Sequence, residues 1–384
     1  MTTQALKKWN KVKLGDVAEI ESGGTPSSTK SEYWDGGNIC WATLPDLKNK
    51  YIFDTQRKIT PLGLKNSSAK LLPINSVIFS SRATIGEVSI AKVEISTNQG
   101  SKNFICNPTK IDYEFLYYLL KSKVEEINSL ASGATYKEIN KTVFSSVEVE
   151  IPNIPTQKQI ADVLSTYDDL IENNTKRIKI LEEIAQAMYT EWFSEKENIS
   201  MVGKLSDVGK LIREKYNEKT DQDLPLVDMA RMKTKSLSLS EFGKSTDLTT
   251  SRIIFEEGDI LFGSIRAYLH KVTLAPFKGI TNISVFVFRS IKTNLASFLT
   301  ITLFREETIA WANQYSAGTK MPVIKGDLFL TMPVSIPKED VLKRLEEIIN
   351  PMLEEIKNLT VQNFNLKKTR DLLLPKLVTG EIRI

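Results

Sequence analysis

The feature that most constrains this chain is an internal repeat. The segment SGATYKEINKTVFSSVEVEIP, which ends at Pro152, is similar to SAGTKMPVIKGDLFLTMPVSIP, which ends at Pro337. Three further pairs share the offset between these two prolines: Ile139 with Ile324, Phe144 with Phe329, and Val149 with Val334. Upstream, KLGDVAEI and VIFSSRATIGEV of the first half are similar to KLSDVGKL and ILFGSIRAYLHKV of the second half. Such a repeat predicts two related structural units, and a length of 384 residues has room for both.

A helical heptad pattern follows each proline of the repeat. In the first half, the mostly apolar positions step alternately by four and three residues: Ile160, Leu164, Tyr167, Ile171, Asn174, Ile178, Leu181, Ala185, Met188 and Trp192. In the second half, the same steps recur at the offset of the repeat: Leu345, Ile349, Met352, Ile356, Leu359, Asn363, Leu366, Arg370, Leu373 and Leu377. This spacing is typical of the seam of a coiled coil. Each helix packing only on its own domain is the alternative, but two matched seams favour mutual pairing.

The chain must leave the first helix, build a domain and return, so we expect the two helices to be antiparallel. The first helix, predicted near residues 156–195, would span roughly 60 Å. Asn174 and Asn363 are polar seam residues of the kind that can fix register.

Pro351 lies inside the second seam, where proline costs about 3 kcal/mol in a helix interior. We therefore expect a bend there, or a helix that begins in earnest only at Pro351.

Short runs rich in β-branched and aromatic residues, such as NSVIFS, SSVEVEI and NISVFVF, predict β-strands in both halves. The predicted fold class is α+β: two β-rich domains separated by two long antiparallel coiled-coil helices, with a pseudo-two-fold internal repeat. The predicted boundaries are residues 1–152 for the first domain, 153–197 for the first helix, 198–337 for the second domain, and 338–384 for the second helix and C-terminal tail.

The composition is ordinary for a soluble globular protein, with 41% hydrophobic and 26% charged residues. A formal charge of +4 permits a polyanionic partner without establishing one. Cys40 and Cys106 are too few for a disulfide framework and lack metal-ligand spacing, so we expect reduced thiols and a cytoplasmic protein. No secretory signal pattern and no run of 18 apolar residues occur, so we expect no membrane association.

Motifs for catalysis are missing from the sequence. The GKS triplet at residues 243–245 matches the end of a phosphate-binding loop, but Ser238 stands where that loop requires a glycine. His270, the lone histidine, has no cysteine or carboxylate at ligand spacing. Glu355 and Lys357 mimic the end of a nuclease motif, but they fall in the predicted helix, where alternating charge is usually a solvated face. We predict no catalytic residue, metal site or cofactor site in this chain.

Polar and basic residues in the loops of both β-rich domains suggest contacts with DNA. Arg82 in FSSRATIG and Arg266 in GSIRAYLHK occupy similar places in the two halves. Arginine can bind guanine O6 and N7 together, or grip a phosphate. Nearby hydroxyl groups could add hydrogen bonds: Ser81, Thr84, Ser264 and Tyr268. Pairing of each arginine with a carboxylate of its own domain is the alternative.

A second group of candidates lies in STNQGSKNF. Asn98 and Gln99 carry amides that can read adenine edges, and Lys102 could meet a phosphate, although amides beside a glycine are also common turn residues. Three further candidates precede the last strand of each domain, after the SGA and SAG loops: Tyr136, Lys137 and Lys320.

The stretch ESGGTPSSTKSEYWDGGNICWAT, residues 21–43, has the glycines and proline of a turn but lacks the strand–loop–helix order of a phosphate site. We expect Trp41 to pack in the domain, and take Lys30 and Tyr33 as candidate DNA contacts. The second domain lacks this stretch. Its nearest counterpart, DLPLVDMARMKTKS, contributes Arg231 and Lys233 as candidates.

Taken together, these features resemble the DNA specificity (S) subunit of type I restriction-modification systems over nearly the whole chain. The resemblance is carried by WNKVKLGDVAEIESGGTP, YWDGGNICWATLPDL, SSRATIGEV, IPNIPTQKQIADVLSTYDDLIENNTKRIKILEEIAQAMYTEWF and LLLPKLVTGEI. It implies two target-recognition domains, each of which reads one half of a bipartite, asymmetric site in double-stranded DNA. The two helices would then form a spacer that measures the base pairs between the half-sites.

The resemblance also implies that chemistry belongs to partners. Two methyltransferase subunits would methylate adenine with S-adenosylmethionine, and two restriction subunits would translocate and cut DNA with ATP and Mg²⁺, so this chain would need no cofactor. The departures from the family are Pro351 in a spacer helix and the missing glycine stretch in the second domain.

Two other classes of function stay open on the sequence. One is a non-enzymatic coiled-coil adaptor whose β domains bind protein rather than DNA. The other is an enzyme with an unrecognised site.

Overall fold

The computed structural model describes residues 9–131, 138–194, 196–217, 223–247 and 251–384. The chain divides into two compact units, Met1–Asp169 with Lys367–Ile384 (unit 1) and Leu170–Leu366 (unit 2). The division between the units cuts each long helix in two, whereas the predicted domain boundaries follow the helix ends.

Unit 1 is built from ten strands and five short helices among its described residues. The strands are β1 (Asn10–Lys13), β2 (Ala18–Ser22), β3 (Ile39–Ala42), β4 (Tyr51–Ile52), β5 (Lys58–Ile59), β6 (Val77–Ser80), β7 (Val88–Ala91), β8 (Ile95–Thr97), β9 (Ser101–Cys106) and β10 (Glu148–Ile151). The helices are α1 (Leu14–Val17), α2 (Pro61–Lys65), α3 (Tyr113–Ser122), α4 (Val124–Ser129) and α5 (Lys141–Ser146). The strands form sheets in the orders β2-β9-β6-β7-β4, β5-β3-β8 and β1-β10.

The first long helix, α6 (Ile154–Ser194), begins in unit 1 and continues into unit 2. The strands of unit 2 are β11 (Ile199–Lys204), β12 (Gly209–Ile212), β13 (Arg252–Phe255), β14 (Ile260–Gly263), β15 (Val272–Leu274), β16 (Gly279–Asn282), β17 (Val285–Ser290) and β18 (Pro333–Pro337). Its helices are α7 (Ala296–Phe304), α8 (Glu306–Gln314) and α9 (Gly326–Phe329), followed by α10 (Glu339–Val378), whose last residues belong to unit 1. The sheet orders are β12-β17-β14-β15, β13-β16 and β11-β18.

The two units repeat one design. The order β12-β17-β14-β15 in unit 2 corresponds to β2-β9-β6-β7 in unit 1. The Leu14 amide donates to the Val147 carbonyl (3.0 Å), and the Leu205 amide donates to the Met332 carbonyl (2.9 Å). Because the offset from Val147 to Met332 equals the offset of the repeat, the structure confirms the predicted repeat together with its β-strands.

Helices α6 and α10 pack together in each unit. In unit 2, Asn174 Nδ2 donates to Asn363 Oδ1 (3.1 Å), and Arg177 Nη2 donates to Glu355 Oε1 (2.6 Å). Residue numbers therefore rise along α6 as they fall along α10, which confirms the antiparallel pairing. In unit 1 the same pairing brings Arg370 of α10 onto Asp168 of α6 as an ion pair.

Every predicted seam position is buried or half-buried. The buried ones are Ile160, Leu164, Asn174, Ile178, Ala185, Leu345, Ile349, Ile356, Leu359, Asn363 and Leu377. The half-buried ones are Tyr167, Ile171, Leu181, Met188, Trp192, Met352, Leu366, Arg370 and Leu373. The heptad pattern thus identified the packed faces of both helices.

The expectation that the second helix begins only at Pro351 is wrong. Helix α10 begins at Glu339 and passes through Pro351 without interruption. Pro351 lies on the exposed face, where water can replace the hydrogen bond that proline removes.

A carboxylate joins the sheet domain to α6 in each unit, half-buried in unit 1 and buried in unit 2. In unit 1, Glu114 of α3 accepts hydrogen bonds from Ser165 Oγ (2.6 Å) and Tyr51 Oη (2.8 Å), and Lys50 Nζ lies 3.5 Å away. Burial alone would raise the pKa of Glu114, but the hydrogen bonds and the positive charge of Lys50 lower it below its usual value.

In unit 2 the carboxylate comes from the helix instead. Glu182 of α6 accepts hydrogen bonds from Ser236 Oγ (2.8 Å) and from the Leu237 amide (2.7 Å). Burial raises the pKa of Glu182, and these two hydrogen bonds only partly offset the effect. The two units therefore anchor their sheets to α6 with opposite pKa shifts.

Candidate nucleic-acid interface

Three predicted segments of unit 1 meet at one place. They are the glycine turn at residues 23–26, the loop 81–87 after β6, and the turn 98–100 between β8 and β9. The Gly24 amide donates to the Thr97 carbonyl (2.9 Å), the Ser81 amide donates to the Gly100 carbonyl (2.8 Å), and Thr25 Oγ1 donates to Gln99 Oε1. We call these segments, with Glu138, cluster 1.

Unit 2 builds the same arrangement, without a counterpart of the glycine turn, from residues 264–269, 282–284 and 320–323, which we call cluster 2. Ser81 Oγ donates to the Gly100 carbonyl (3.1 Å) in cluster 1, and Ser264 Oγ donates to the Ser284 carbonyl (3.0 Å) in cluster 2. Both loops are closed in the same way, since the Ile139 amide donates to the Ser81 carbonyl and the Ile324 amide donates to the Ser264 carbonyl, at 3.1 Å in both cases. The two clusters therefore share one backbone scaffold.

The turn of each cluster is held by an asparagine. Asn98 Oδ1 accepts a hydrogen bond from the Gly100 amide (3.1 Å), and Asn282 Oδ1 accepts one from the Ser284 amide (3.0 Å). Sequence reasoning missed Asn282, although TNQG and TNIS share the asparagine at nearly the same offset as the rest of the repeat. The residue at the tip of the turn is Gln99 in cluster 1 and Ile283 in cluster 2.

The predicted equivalence of the two arginines is wrong by one residue. Ala83 and Arg266 are the residues that share a left-handed backbone, with φ of 66° and 51°. Arg82 instead corresponds to Ile265, because Arg82 forms a β-bridge with Glu138 as Ile265 does with Val323. The shift arises from the differing residues that follow the shared serine, SRA in one loop and SIRA in the other.

The candidate DNA contacts differ in accessibility. The exposed ones are Lys30, Arg82, Thr84, Gln99, Tyr268 and Lys320. The half-buried ones are Asn98, Arg231, Lys233 and Arg266. The buried ones are Tyr33, Ser81, Lys102 and Ser264. Tyr136 and Lys137 lie outside the described residues.

Burial corrects the prediction for four candidates. Ser81 and Ser264 use their hydroxyls on backbone carbonyls, as described above. Lys102 Nζ lies 3.2 Å from Ser81 Oγ and 3.3 Å from Glu138 Oε1, so its charge is compensated inside the domain. Tyr33 is 5% exposed. We therefore assign these four side chains to the interior of their domains rather than to direct contact with DNA.

Arg231 and Lys233 are engaged within their own domain. Arg231 pairs with Asp228 (2.7 Å) and Asp247 (2.8 Å), which is the alternative considered for the arginines. Lys233 Nζ donates to Ser238 Oγ (3.2 Å). No described contact places either residue in cluster 2.

The glycine turn of cluster 1 is scaffold. A Cβ atom added to Gly23 would clash with the Asn98 carbonyl, and one added to Gly24 would clash with the backbone of Ala69. Trp41 is 3% exposed and its Nε1 donates to the Gly24 carbonyl (2.9 Å), which confirms that it packs in the domain.

Sequence reasoning missed an exposed cation near this turn. The guanidinium of Arg57 lies 3.9 Å from the ring centroid of Trp34, which itself packs edge-on against Trp41 at 5.0 Å. No local motif marks Arg57, because only the pairing of β3 with β5 brings this residue, which precedes β5, beside Trp41, whose amide donates to the Arg57 carbonyl (3.1 Å).

Other residues that suggested chemistry have structural partners. His270 is 3% exposed, and its Nε2 lies 2.8 Å from the Phe304 carbonyl. Ser245 of the GKS triplet donates to Asp223 Oδ1 (2.5 Å). Lys357 pairs with Glu257 (2.8 Å). Across the described ranges, no group of three or more His, Cys, Asp or Glu residues could hold a metal ion.

Both cysteines are free thiols, and burial raises the pKa of Cys106 to about 12. In the described part of the chain, no helix has the length and apolar character needed to span a membrane.

Comparisons with known proteins agree with one another. A family model described as the type I restriction modification DNA specificity domain matches residues 6–183 and 198–363. The chain is 32% identical to the type I restriction enzyme MjaIX specificity subunit of Methanocaldococcus jannaschii, over 98% of this chain and 94% of that protein. It is 24% identical to the type I restriction enzyme EcoDI specificity subunit of Escherichia coli, over 97% of this chain and 92% of that protein.

Among solved structures, the fold is similar to the crystal structure of the type I restriction-modification system S subunit from M. genitalium. The TM-score is 0.62 at 16% sequence identity, and the match covers 98% of both chains.

Proposed function

This chain belongs to the type I restriction-modification DNA specificity family, and on that premise we propose that it reads a bipartite, asymmetric site through clusters 1 and 2. The observation that carries the proposal is the shared backbone of the two clusters combined with their different exposed side chains. One scaffold that presents unlike side chains is suited to two unlike half-sites.

Cluster 1 presents hydrogen-bonding groups. Arg82, Thr84 and Gln99 are exposed on adjacent segments, and such side chains recognise guanine or adenine edges in the major groove or contact phosphates. Cluster 2 presents Arg266 and Lys320 beside apolar side chains. The basic residues of both clusters would supply phosphate contacts, which dominate affinity.

We further propose that helices α6 and α10 act as the spacer between the half-sites. Each helix is about 40 residues long, with 41 residues in α6 and 40 in α10. The asparagine pair within the seam, Asn174 with Asn363, fixes how the two helices align in unit 2. A fixed helix register would give a fixed number of base pairs between the half-sites.

Catalysis in the proposed complex belongs to other subunits. The named relatives are specificity subunits of restriction enzymes. We propose that two methyltransferase subunits with S-adenosylmethionine and two restriction subunits with ATP and Mg²⁺ join this chain in the cytoplasm, and that the chain itself has no catalytic role.

The test is selection of DNA by the chain co-expressed with a methyltransferase subunit. A library of random double-stranded DNA is selected at low and at physiological salt. We expect two unlike half-sites, separated by a constant number of base pairs, to be enriched. Salt-sensitive binding without sequence preference would contradict the proposal. Salt-independent association with a protein partner, with no DNA footprint, would instead support the adaptor function.

A further inference from the structure

At matched positions, cluster 1 has polar side chains and cluster 2 has apolar ones. Ile265 of cluster 2 corresponds to Arg82 of cluster 1, since both follow the shared serine and form the same β-bridge. Across that bridge, Val323 corresponds to Glu138. At the tip of the asparagine turn, Ile283 replaces Gln99. At these three positions, the polar residue of cluster 1 is thus exchanged for a branched aliphatic one.

The apolar side chains of cluster 2 are also unusually exposed. Single exposed apolar residues are normal on protein surfaces. Here four of them lie on the segments of one cluster: Tyr268 at 53% exposure, Ile283 at 66%, Met321 at 54% and Val323 at 37%. An exposed group of this kind indicates a binding surface.

The backbone fixes where this apolar group lies. Ile283 stands between Asn282 and Ser284, and the Ser284 carbonyl accepts two hydrogen bonds from Ser264. The Arg266 amide donates to the Pro322 carbonyl (2.8 Å), which places the segment with Met321 and Val323 beside the same loop. Ile283 therefore projects from a held turn rather than from a free loop.

The charge next to the group favours DNA over an apolar protein partner. The Arg266 guanidinium lies 3.4 Å from the Lys320 carbonyl, and Lys320 is exposed. Ion pairs are described for other basic residues of unit 2, but none is described for Arg266 or Lys320 among the residues that the structure covers. Two cations beside an apolar tip fit a surface that contacts phosphates and places the tip in a groove.

An aliphatic side chain has one partner on the base edges of the major groove. It can neither donate nor accept a hydrogen bond, and the apolar group displayed there is the 5-methyl of thymine. We propose that cluster 2 reads the thymine 5-methyl group in its half-site, and that Ile283 is the specificity-determining contact. This inference rests on the proposed function, because it names what one of the two half-sites must contain.

The experiment removes the methyl group from the DNA and the side chain from the protein separately. The DNA is the site selected by the chain in complex with a methyltransferase subunit, with each thymine replaced in turn by uracil, which lacks only the methyl group. The half read by cluster 2 is assigned with the Arg266→Ala variant. At one thymine of that half, we expect uracil to weaken binding roughly fourfold, as for the loss of one buried methyl group.

The Ile283→Ala variant should bind the thymine site roughly as weakly as the unchanged protein binds the uracil site. It should no longer distinguish thymine from uracil at that position. Because Ile283 is exposed, the variant should unfold at the same temperature as the unchanged protein. Gln99→Ala is the matched control at the tip of cluster 1, and it should keep the discrimination between thymine and uracil.

A cluster 2 half-site that tolerates uracil at every position would overturn the inference and leave the proposed function standing. Discrimination that survives in Ile283→Ala would likewise overturn the role of Ile283. Failure to select any half-site at all would instead count against the proposed function.

Discussion

Clusters 1 and 2 have the same backbone and different side chains. In both, a serine after a central strand bonds the neighbouring turn, and an asparagine closes that turn. Cluster 1 presents Arg82 and Gln99, whereas cluster 2 presents Ile265 and Ile283 at the same places. The comparison shows how a duplicated fold acquires two specificities: hydrogen bonds that hold the loops are kept, and side chains at the tips change.

The two units also differ in what supports each cluster. Cluster 1 includes the glycine turn, which packs against its other segments and has no copy in unit 2. Unit 1 joins its sheet domain to α6 through Glu114, and unit 2 does so through Glu182, with opposite pKa shifts. The shared scaffold is therefore stabilised by different interactions in unit 1 and unit 2, and a mutation can remove those of one unit without affecting the other.

The largest effect is expected at the glycine turn. Gly23→Ala places a methyl group against the Asn98 carbonyl, a backbone atom that cannot move without disrupting the turn. We expect a loss of more than about 3 kcal/mol in the free energy of unfolding, measured by urea denaturation.

Thr25→Ala is the matched control in the same turn, because it removes only an exposed hydrogen bond to Gln99. Its cost should be about 1 kcal/mol or less. If Gly23→Ala were as mild as Thr25→Ala, the glycine turn would not be the support of cluster 1.

The next largest effect concerns the two carboxylates that join the sheet domains to α6, Glu114 and Glu182. Glu114→Gln leaves the Lys50 charge, whose side chain is 7% exposed, without its partner, so we expect a loss of about 2 kcal/mol at pH 7. The pKa of Glu114 is lowered in the folded protein, so the stability it contributes is present above its usual pKa of 4.5 and is lost as the pH falls through the lower folded value.

Glu182→Gln should change the pH dependence of the free energy of unfolding in the opposite sense to Glu114→Gln. The pKa of Glu182 is raised in the folded protein, so its contribution is present below 4.5 and is lost as the pH rises through the higher folded value. Urea denaturation of both variants between about pH 2 and pH 8 covers the window below 4.5 for Glu114 and the window above 4.5 for Glu182. If the difference in the free energy of unfolding between variant and unchanged protein varied with pH in the same way for both variants, the predicted contrast between Glu114 and Glu182 would be contradicted.

The third prediction concerns which half-site of the DNA each cluster recognises. Arg82→Ala should weaken recognition of one half-site, and Arg266→Ala recognition of the other, by about 1 to 3 kcal/mol for a lost bidentate base contact. The measurement is competition binding with DNA altered in one half at a time. Equal weakening on all sequences would identify both arginines as phosphate contacts.

The long-range plan of the fold was predictable from sequence because it rests on periodic patterns. The offset between Val149 and Val334 located the repeat, and the heptad steps located the packed faces of α6 and α10. Helix α7 was not predicted, since it is buried on nearly all sides and carries no amphipathic pattern to distinguish it from a strand.

The candidate site was predictable only in part. The sequence located Arg82, Asn98 and Gln99, because they stand in polar loops. It could not show that Lys102 is buried, because its partner Glu138 is distant in the chain and only the fold brings the two together. It also missed Ile283, since an aliphatic residue in a strand-rich segment is usually buried, and only the asparagine turn exposes it.

The most direct test of the central claim is a map of methylated positions in the genome of a cell that expresses this chain with a cognate methyltransferase subunit. If clusters 1 and 2 read unlike half-sites, the map will show one asymmetric motif with two different halves at a constant separation. Two identical halves, or halves without a fixed separation, would contradict it.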